Sequence, residues 1–565
     1  MSRLEELKKA ASLNDFAGLL HYKPKAVSYI LYKIPVARKY KKFEIPKTNG
    51  EKRTIKAPTE RLKHLQRRLA NLLNECFELI SKEKKSLSHG FRKRHSIITN
   101  AKNHKNKRNV FNIDLKDFFP SINFGRVRGY FIQNHHFKLN PKIATVIAQI
   151  ACHDNELPQG SPCSPIISNL IGHLLDIRMA HLAKKTKCTY SRYADDLTFS
   201  TNKKEFPKII AIQSDGNKWV AGEKLIKEIE KTGFIVNHDK TSMQFKTSRQ
   251  MTTGLIVNEK VNVKREYYKK ARAMCHSLFK TGTFYIDENV PIDDSENEEQ
   301  QECPLNQLEG ILNFIYQVKK KHDFPKHHKK KLASTKLYRN FLLYKHFFAM
   351  EKPLIICEGK TDIIYLKCAL RQLASHYSEF VEINEGKVNF KTKFLTLSDN
   401  LINVFSTSQG SSGLFFLMEN YKKNRAVFKY AGNCYPAIFI FDNDDGAKQI
   451  KNHFNIQEDA TIETYYHYFE NLYVLIVPKN KKGAIEDLFT QNTLDTKVDK
   501  KSLNCAGKID TNTEHGKVVF AEKVVRANQQ KINFDGFKEI FDGIKTIIKD
   551  YQKKKDTIKS SRGNK

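Results

Sequence analysis

Residues 188–200 read Cys-Thr-Tyr-Ser-Arg-Tyr-Ala-Asp-Asp-Leu-Thr-Phe-Ser, and this stretch decides the fold prediction. β-Branched and aromatic residues flank two adjacent carboxylates, a pattern that predicts two short strands joined by a tight turn with Asp195 and Asp196 at its tip. Neighbouring carboxylates repel each other unless a cation neutralises them, and their oxygens suit Mg²⁺. A solvated Asp-Asp turn is the alternative, and this stretch alone does not decide between the two.

A third carboxylate and a glycine-containing loop lie upstream of this hairpin. Residues 110–122 form an apolar run in which Asp114 marks the end of a strand. Residues 157–169, Leu-Pro-Gln-Gly-Ser-Pro-Cys-Ser-Pro-Ile-Ile-Ser-Asn, predict a loop that leads into a helix over residues 166–182. A strand with an acid, a Gln-Gly loop with a helix, and a Tyr-x-Asp-Asp hairpin, in this order, resemble the palm of reverse transcriptases. The resemblance implies a right-hand polymerase with fingers, palm and thumb.

The resemblance assigns roles to individual residues. Asp114, Asp195 and Asp196 correspond to the metal-binding triad of the palm, which holds two Mg²⁺ ions. Phe119 corresponds to the aromatic residue that blocks a ribose 2′-OH and so selects dNTPs. The other residues expected to contact the nucleotide or the nucleic acid are Gln159, Gly160, Tyr193 and Lys240. For Lys240, an ordinary exposed lysine is the alternative.

The composition indicates a large protein that binds nucleic acid. The chain has 565 residues, more than one core usually supports, and a formal net charge of +37 that falls mostly within residues 1–350. Its ten cysteines form no Cys-x-x-Cys pair, so we expect reduced thiols and neither disulfides nor a zinc site. The N-terminus has no apolar signal region and no apolar run has the length of a membrane span. These features predict a soluble, cytoplasmic protein without a membrane partner.

The segment before the palm resembles polymerase fingers. Residues 40–56 alternate polar and apolar side chains around Asn49-Gly50, which predicts a hairpin, and residues 58–73 predict a basic amphipathic helix. The stretch His-Gly-Phe-Arg-Lys-Arg-His-Ser follows at residues 89–96. In the family this strand meets the template and the nucleotide phosphates, so we expect Arg92 and Arg94 to contact phosphate. An exposed basic turn is the alternative.

Two short elements narrow the resemblance to the retron reverse transcriptases, the bacterial enzymes that make branched, RNA-linked single-stranded DNA (msDNA) from a structured transcript. Residues 100–104, Asn-Ala-Lys-Asn-His, fit the N-A-x-x-H element of that family, and Asn100 and His104 are expected to bind nucleic acid. Residues 252–258, Thr-Thr-Gly-Leu-Ile-Val-Asn, approximate a Val-Thr-Gly stretch associated with recognition of the cognate RNA. Threonine replaces valine at the first position of this stretch. The resemblance therefore supports the position of the segment after the palm better than it supports a role in RNA recognition.

The domain prediction follows from the same resemblance. Residues 1–350 are expected to form the reverse transcriptase, with fingers and palm to about residue 258 and a thumb over residues 259–350. The thumb helices are expected at residues 264–280, 305–315 and 337–348. The acidic residues 287–302 have no apolar face and predict a loop or disordered insertion within the thumb.

The pattern changes at residue 351. An apolar strand ends at Glu358 before a helix, and residues 435–446 contain a second buried strand that ends in Asp442 and Asp444. This order resembles the TOPRIM fold of topoisomerases, primases and OLD-type nucleases over about residues 353–490, which implies an α/β domain with a mainly parallel sheet. By that resemblance the three acids bind one or two Mg²⁺ ions and are catalytic, and Glu486 is a candidate ligand for a second metal. A non-catalytic turn cluster, and a helix-capping acid at Glu486, are the alternatives.

Together these features predict a multidomain α/β protein, a retron reverse transcriptase fused to a TOPRIM nuclease over residues 351–565 with a basic, frayed tail at residues 545–565. It would copy a folded non-coding RNA into msDNA from dNTPs, primed by the 2′-OH of an internal guanosine, and its nuclease would cut RNA or DNA in defence against phage. A homo-oligomer is compatible with this prediction. One alternative is a reverse transcriptase of intron-encoded or abortive-infection type. The other is a TOPRIM domain that binds nucleic acid without cutting it.

Overall fold

The chain divides into two compact units, Met1–Arg265 and Glu266–Lys565, each with its own apolar core. The boundary predicted after residue 350 lies inside the second unit. In the computed structural model, the described residues are 2–46, 50–81, 87–214, 218–285, 305–320, 332–430, 435–456, 465–478, 483–505 and 509–563, with side chains to residue 557.

Helices and strands are mixed along the first unit. Its helices are α1 (Arg3–Lys9), α2 (Leu13–Leu19), α3 (Pro24–Ser28), α4 (Glu60–Ser81), α5 (Ile97–Asn103), α6 (Phe124–Gln133), α7 (Pro141–Ala151), α8 (Ser164–Thr186) and α9 (Glu223–Glu230), with a π-helical turn at Tyr29–Lys33 and a 3₁₀ turn at Val36–Arg38. Its strands are β1 (Tyr40–Pro46), β2 (Lys52–Pro58), β3 (Asn109–Lys116), β4 (Thr189–Tyr193), β5 (Asp196–Thr201), β6 (Ala211–Gln213), β7 (Trp219–Ala221), β8 (Ile235–Phe245), β9 (Met251–Thr252) and β10 (Leu255–Ile256).

An antiparallel sheet of order β4-β5-β3-β8 forms the centre of the first unit. Phe111, Ile113 and Leu115 of β3 are buried in the core. Because successive side chains of a strand point to opposite faces, Asp114 lies on the other face. The predicted hairpin is confirmed as β4 and β5, and α8 extends a little beyond the helix predicted over residues 166–182.

The hairpin predicted before the palm is also confirmed. Strands β1 and β2 pair antiparallel from Tyr40 opposite Pro58 to Pro46 opposite Lys52. Of its turn, residues 47–49 lie outside the described part of the chain. Helix α4 follows directly and covers the predicted basic helix, with its apolar side chains buried in the core of the first unit.

The second unit begins with helices and continues with a mixed α/β region. Its helices are α10 (Arg265–Thr281, which starts at the unit boundary), α11 (Leu305–Lys319), α12 (Ala333–Leu343), α13 (Lys360–Gln372), α14 (Asp399–Phe405), α15 (Ser411–Asn424), α16 (Lys448–His453), α17 (Gln491–Leu494), α18 (Lys517–Val519) and α19 (Lys538–Gly563), with π-helical turns at Tyr344–Phe348 and Phe520–Arg526 and 3₁₀ turns at Arg425–Val427, Asp445–Ala447, Ile485–Leu488 and Asp535–Phe537. Its strands are β11 (Leu354–Cys357), β12 (Val381–Asn384), β13 (Lys387–Phe390), β14 (Lys393–Phe394), β15 (Ala437–Phe441), β16 (Tyr466–Phe469), β17 (Leu472–Ile476), β18 (Ser502–Leu503) and β19 (Glu514–His515). In the part of the chain that the structure describes, no helix of either unit combines the length and apolar character that crossing a bilayer requires.

The main sheet of the second unit is mostly parallel, as predicted. Its order is β14-β11-β15-β17-β16, with the first four strands parallel and β16 antiparallel at one edge. Strands β11, β15 and β17 are fully buried, which is typical of a parallel sheet covered on both faces. Because the carboxyl ends of parallel strands share one edge, the residues that follow β11, β15 and β17 lie close together.

An aromatic cluster joins the helices of residues 265–348 to this sheet. The Phe347 ring stacks on Phe439 of β15 at a centroid distance of 5.9 Å, and the Asn471 amide donates a hydrogen bond of 2.8 Å to the Phe347 carbonyl. The Phe428 ring packs against three aromatic rings of the helical segment, those of Phe279, Tyr344 and Phe348. The helical segment and the sheet therefore share a core.

The prediction of a frayed C-terminal tail is wrong. Residues 538–563 form the single helix α19, and Ile540, Phe541, Ile544 and Ile547 are buried in the core of the second unit. Their spacing gives one apolar face, which was obscured in the sequence by the lysines of the other faces. The acidic insertion predicted at residues 287–302 lies outside the described residues.

Candidate active site

A cleft of about 1070 Å³ opens beside the central sheet of the first unit. It is lined by residues of β2, the end of β3, the loop before α8 and the start of β8. Five residues predicted from the sequence line it, namely Asp114, Phe119, Gln159, Asp195 and Lys240. The fold thus brings together side chains that lie up to 126 positions apart in the chain.

The three predicted palm carboxylates lie at adjoining positions of the sheet. Asp114 is the ladder partner of Asp196, and the Leu115 amide donates a hydrogen bond of 3.1 Å to the Asp195 carbonyl. Burial and the nearby charge of Asp114 raise the pKa of Asp195. Burial and the charges of Asp195 and Asp114 likewise raise the pKa of Asp196, although this residue reaches solvent, which screens part of the repulsion.

This charge arrangement fits a divalent cation. Three carboxylates that destabilise one another's charged forms gain free energy when a cation neutralises them. Their oxygens are the ligand type that Mg²⁺ prefers. Over the described residues no three His, Cys, Asp or Glu side chains already surround a metal position, so these carboxylates would have to turn toward an ion to ligate it.

Two side chains of β8 hold Asp114. The Asn237 amide donates a hydrogen bond of 2.9 Å to Oδ1, and the Lys240 ammonium lies 3.4 Å from Oδ2. The sequence singled out Lys240 and missed Asn237, three residues earlier in the same stretch. No sequence signal marks Asn237, because a regular alternation of faces would separate it from Lys240, three positions away, and the pairing of β3 with β8 is irregular next to Asp114.

The loop before α8 is fixed by strand β2. The Lys56 amide donates a hydrogen bond of 2.9 Å to the Gln159 carbonyl, and the Lys56 ammonium pairs with Glu156. Gly160 has a φ of +116°, and a Cβ there would lie 2.9 Å from the Lys56 carbonyl oxygen, so the position requires glycine. Arg53 of β2 also lines the cleft, and its charge favours ionised Asp195. Sequence reasoning missed Arg53, because a hairpin prediction does not say which face meets the palm.

Aromatic side chains surround the tip of the hairpin. The Phe91 ring lies 6.2 Å from Phe119 and 6.5 Å from Tyr193, measured between centroids. The chain comes so close to the hairpin here that a Cβ on Gly90 would lie 2.7 Å from the Ala194 nitrogen. Phe119 and Tyr193 are therefore held at the carboxylates, where the sequence predicted contact with the nucleotide.

The two predicted phosphate-binding arginines have different surroundings. The Arg92 guanidinium lies 4.6 Å above the Phe77 ring and donates a hydrogen bond of 3.0 Å to the Ser81 hydroxyl, both on α4. Arg94 is exposed. Contact of these side chains with phosphate stays a prediction, and Arg94 is the better placed of the two.

Asn100 and His104 lie inside the protein. Both are fully buried, so neither side chain has surface to offer a nucleic acid, and the predicted role is corrected. The Ser191 hydroxyl of β4 donates its one hydrogen to the side-chain oxygen Oδ1 of Asn100 at 2.6 Å. It must therefore accept the hydrogen bond that joins it to His104 Nε2 at 2.7 Å. His104 Nδ1 then accepts from the Ser200 hydroxyl of β5 at 2.8 Å. The N-A-x-x-H element therefore bridges the two strands that flank the turn at Asp195.

The predicted Val-Thr-Gly-like segment packs on the same element. It forms the short hairpin of β9 and β10, and the Thr253 hydroxyl donates a hydrogen bond of 3.3 Å to the Ile97 carbonyl at the start of α5. The two retron-like segments, some 150 residues apart in sequence, are thus neighbours. Recognition of RNA by this hairpin stays a prediction.

We expect His104→Phe to destabilise the first unit by about 1–3 kcal/mol, because the Ser200 hydroxyl loses its buried partner. The measurement is urea unfolding followed by the fluorescence of Trp219, the one tryptophan of the chain. His64→Phe, at an exposed position of α4, is the matched control and should change the free energy of unfolding by less than about 0.5 kcal/mol.

His104→Phe should also change how the free energy of unfolding depends on pH. Burial, with the charges of His89 and Lys107, lowers the pKa of His104 from 6.5 to about 3. The unfolded chain therefore binds the extra proton, and the contribution of His104 to stability is complete above pH 6.5 and is lost as the pH falls toward 3. His104→Phe should remove this part of the acid sensitivity. An unchanged slope of unfolding free energy in this pH range would contradict the buried, neutral imidazole.

A buried ion pair supports the tip of the hairpin. The Arg192 guanidinium, fully buried, donates two hydrogen bonds of 2.8 Å to the carboxylate of Asp176 in α8. It donates a third, of 3.0 Å, to the Ala194 carbonyl, and Tyr190 also donates to Asp176 at 2.9 Å. Burial alone would lower the pKa of Arg192, but attraction to Asp176 outweighs it.

We expect Asp176→Ala to destabilise the first unit by about 3–5 kcal/mol, since it leaves a buried charge without a partner. The double variant Asp176→Leu with Arg192→Met should lose less unfolding free energy than Asp176→Ala, because it leaves no unpaired charge at this buried site. The control is Arg178→Met on the same helix, which breaks the more exposed pair with Glu228 and should cost no more than about 1 kcal/mol. Trp219 fluorescence during urea unfolding measures all three. A double variant as unstable as the sum of its single changes would show that the pair is not coupled.

A second group of carboxylates lies at the carboxyl edge of the parallel sheet. Glu358, after β11, accepts hydrogen bonds from the Ser411 hydroxyl at 2.8 Å and from the Asp442 amide at 3.2 Å. Asp442, after β15, accepts from the Ile485 amide at 3.0 Å. Burial and the charges of Asp362, Glu358 and Glu486 raise the pKa of Asp442 to about 8. Asp444 is exposed beside them.

Two further residues belong to this group. Asp362 is buried, accepts a hydrogen bond of 2.8 Å from the Gly359 amide at the start of α13, and adds a carboxylate to the site. Glu486 is buried and accepts a hydrogen bond of 3.0 Å from the Lys517 ammonium. Lys517 comes from a segment without a recognisable motif, and no sequence signal could have found it. The acids suit Mg²⁺ for the same reason as those of the cleft.

Comparison with known proteins identifies the first unit. Residues 45–265 match the family model described as reverse transcriptase (RNA-dependent DNA polymerase). The chain is 36% identical over 244 residues to the retron Ec86 reverse transcriptase of Escherichia coli, a match that covers 43% of this chain and 70% of that protein. It is 36% identical to the retron Mx65 enzyme of Myxococcus xanthus, over 42% and 56% of the two chains, and 33% identical to the retron Mx162 enzyme, over 55% and 64%.

Among solved structures, telomerase of Candida albicans aligns with 54% of this chain and 60% of its own at a TM-score of 0.29 and 10% identity. Apo telomerase of Candida tropicalis aligns with 54% and 61% at 0.33 and 15%. These scores are low, and the assignment comes from the sequence matches. The chain belongs to the family of retron reverse transcriptases.

Proposed function

We propose that this chain is an RNA-directed DNA polymerase that copies a structured non-coding RNA into msDNA, and that residues 351–565 form a TOPRIM nuclease that acts in defence against phage. The observation that carries the first part is the pairing of Asp114 with the hairpin of Asp195 and Asp196 in a chain of the retron family. The family relationship also decides against the intron-encoded and abortive-infection alternatives.

The cleft residues suggest how the polymerase works. Asp114, Asp195 and Asp196 would hold Mg²⁺, which when bound favours attack by the primer hydroxyl and stabilises the leaving pyrophosphate. Lys240 and Arg53 line the cleft together with Asp114 and Asp195 and would supply positive charge for the triphosphate. Phe119 would exclude a ribose 2′-OH. Gly160 lets the loop approach strand β2 and leaves no side chain in the way of the base pair.

The template and its product are the proposed partners. A net charge of +37 suits a long RNA, and membership of the retron family makes a non-coding RNA the expected template. We propose that synthesis starts from the 2′-OH of an internal guanosine, that dNTPs are the substrates, and that the protein works in the cytoplasm, alone or as a homo-oligomer. The RNA and DNA product would remain bound.

The nuclease proposal rests on the acids at the edge of the parallel sheet. Glu358, Asp442 and Asp444 would ligate one or two Mg²⁺ ions, and Glu486 would contribute to a second site. The raised pKa of Glu358, caused by burial and by the charges of Asp444 and Asp362, suits a group that exchanges a proton during phosphodiester cleavage. The substrate is RNA or DNA, and a phage that perturbs the bound msDNA would release the activity.

The test of the proposed function is to purify the protein from its host and sequence the nucleic acid bound to it. We expect one discrete RNA covalently joined to single-stranded DNA. The matched control is the Asp195→Asn, Asp196→Asn variant, which should carry the RNA without DNA. A heterogeneous mixture, or RNA alone on the unchanged protein, would contradict msDNA synthesis.

A further inference from the structure

Two tyrosines project from the π-helical turn near the N-terminus. Tyr29 is 49% exposed and Tyr32 60%, whereas Ile30 and Leu31 between them are buried. A π-helical turn holds more residues than an α-helical turn, and such turns are frequent at functional sites. Here the turn keeps two apolar side chains in the core and both tyrosines at the surface.

One basic side chain contacts the Tyr29 ring, and three more basic residues lie nearby in the sequence. The Arg61 guanidinium of α4 lies 5.7 Å from the centre of the Tyr29 ring. The Tyr32 hydroxyl donates a hydrogen bond of 2.8 Å to Gln149 of α7, which anchors one end of an otherwise exposed side chain. Lys25, Lys33 and Arg38 are exposed beside them on the same short segment. We call Tyr29 and Tyr32 with these four basic residues the tyrosine face.

The basic side chains of the tyrosine face have no carboxylate partners among the described residues. Among the residues that the structure describes, Lys25, Lys33, Arg38 and Arg61 form no ion pair with a carboxylate. None of the six residues lines the polymerase cleft. Two exposed aromatic rings in a segment that also carries cations without carboxylate partners are the combination that binds single-stranded nucleic acids, because bases stack on the rings and phosphates pair with the cations.

We infer that the tyrosine face binds an unpaired stretch of nucleic acid outside the polymerase cleft. The ligand is single-stranded, because the faces of bases in a duplex are covered by their neighbours and cannot stack on a side chain. An unpaired part of the RNA and the single-stranded DNA product have the same chemistry for this purpose. The site would hold a strand while another part of the nucleic acid occupies the cleft.

The test compares three forms of the full chain: unchanged, Tyr29→Ala with Tyr32→Ala, and Tyr29→Phe with Tyr32→Phe. The probes are fluorescent oligouridine and oligothymidine of about 20 nucleotides, which span the site size of a typical single-strand binder. Anisotropy is measured with an unlabelled hairpin primer–template in excess, so that the cleft is filled. DNA synthesis on the hairpin serves as the control for folding.

We expect the alanine variant to bind at least one probe about tenfold more weakly or worse, since each stacked base contributes about 1–3 kcal/mol. The phenylalanine variant, which keeps the rings, should bind within about twofold of the unchanged protein, and synthesis on the hairpin should be the same for all three. Weaker binding of both probes or of one alone supports the site and tells which strand it takes. Unchanged binding of both probes by the alanine variant, or an equal loss in the phenylalanine variant, would overturn it.

Discussion

A chain with Asp195→Asn and Asp196→Asn should make no detectable DNA, a loss of about a thousandfold or more, because the cleft then lacks the charges that hold its cations. The same variant should remain folded. In the absence of divalent ions its unfolding temperature should be equal to or above that of the unchanged protein, because burial and mutual repulsion disfavour the charged forms of both residues. Primer extension on a hairpin template and thermal unfolding with and without Mg²⁺ measure the two effects.

The control for this prediction is Asp239→Asn, which neutralises another acid that lines the cleft. It should keep synthesis within a few-fold of the unchanged enzyme. Mg²⁺ should raise the unfolding temperature of the first unit, followed by the fluorescence of Trp219, in the control and leave it unchanged in the double variant, since within this unit only the control keeps all three binding carboxylates. DNA synthesis by the double variant would show that the palm assignment is wrong.

The full chain with Asp442→Asn should lose metal-dependent cleavage of nucleic acid by about a hundredfold or more and should no longer protect cells from phage. Asp442 stands at the centre of the second group of acids, since its backbone amide bonds Glu358 and its side chain accepts from the Ile485 amide. Asparagine keeps the size of the side chain, so the fold should persist. DNA synthesis by this variant should be unaffected, which would show that the loss of cleavage and protection does not come from a loss of polymerase activity.

Asp445→Asn is the matched control for the nuclease prediction. This exposed acid follows Asp444 directly, and its neutralisation should leave cleavage and protection intact. Glu358→Gln should behave like Asp442→Asn. Cleavage that persists in both site variants would exclude these acids as catalytic. If the unchanged protein does not cut but its Asp442→Asn variant loses affinity for nucleic acid, the domain is a binding module.

The parts of the fold that were predicted correctly are those with local signals. The alternation of Phe111, Ile113 and Leu115 fixes which face of β3 carries Asp114, and the adjacent acids mark the turn between β4 and β5. The two runs of buried residues that end at Glu358 and Asp442 likewise predicted strands ending in acids, and the resemblance to the TOPRIM fold implied their parallel pairing. In each case the sequence pattern that predicts the strand or turn lies within about ten residues.

What the sequence did not predict depends on distant partners. Asn100 and His104 were expected to bind nucleic acid because they belong to the N-A-x-x-H element. Inside the protein, the Asn100 side-chain oxygen and the His104 ring bond Ser191 and Ser200, some 90 positions away. Lys517 reaches Glu486 across 31 positions from a segment without a motif. Such pairs follow from the packing of whole elements, which periodicity within one element does not reveal.

The shared aromatic core of the second unit limits how this protein can be recombined. Phe347 lies between α12 and the sheet, and Phe428 of the sheet region is covered by rings from residues 279–348. A gene fusion that transferred only residues 351–565 to another polymerase would expose this aromatic surface and produce an aggregating protein. The part of the chain that keeps this core intact is residues 266–565, so a graft of the second group of acids onto another polymerase would have to carry these helices along.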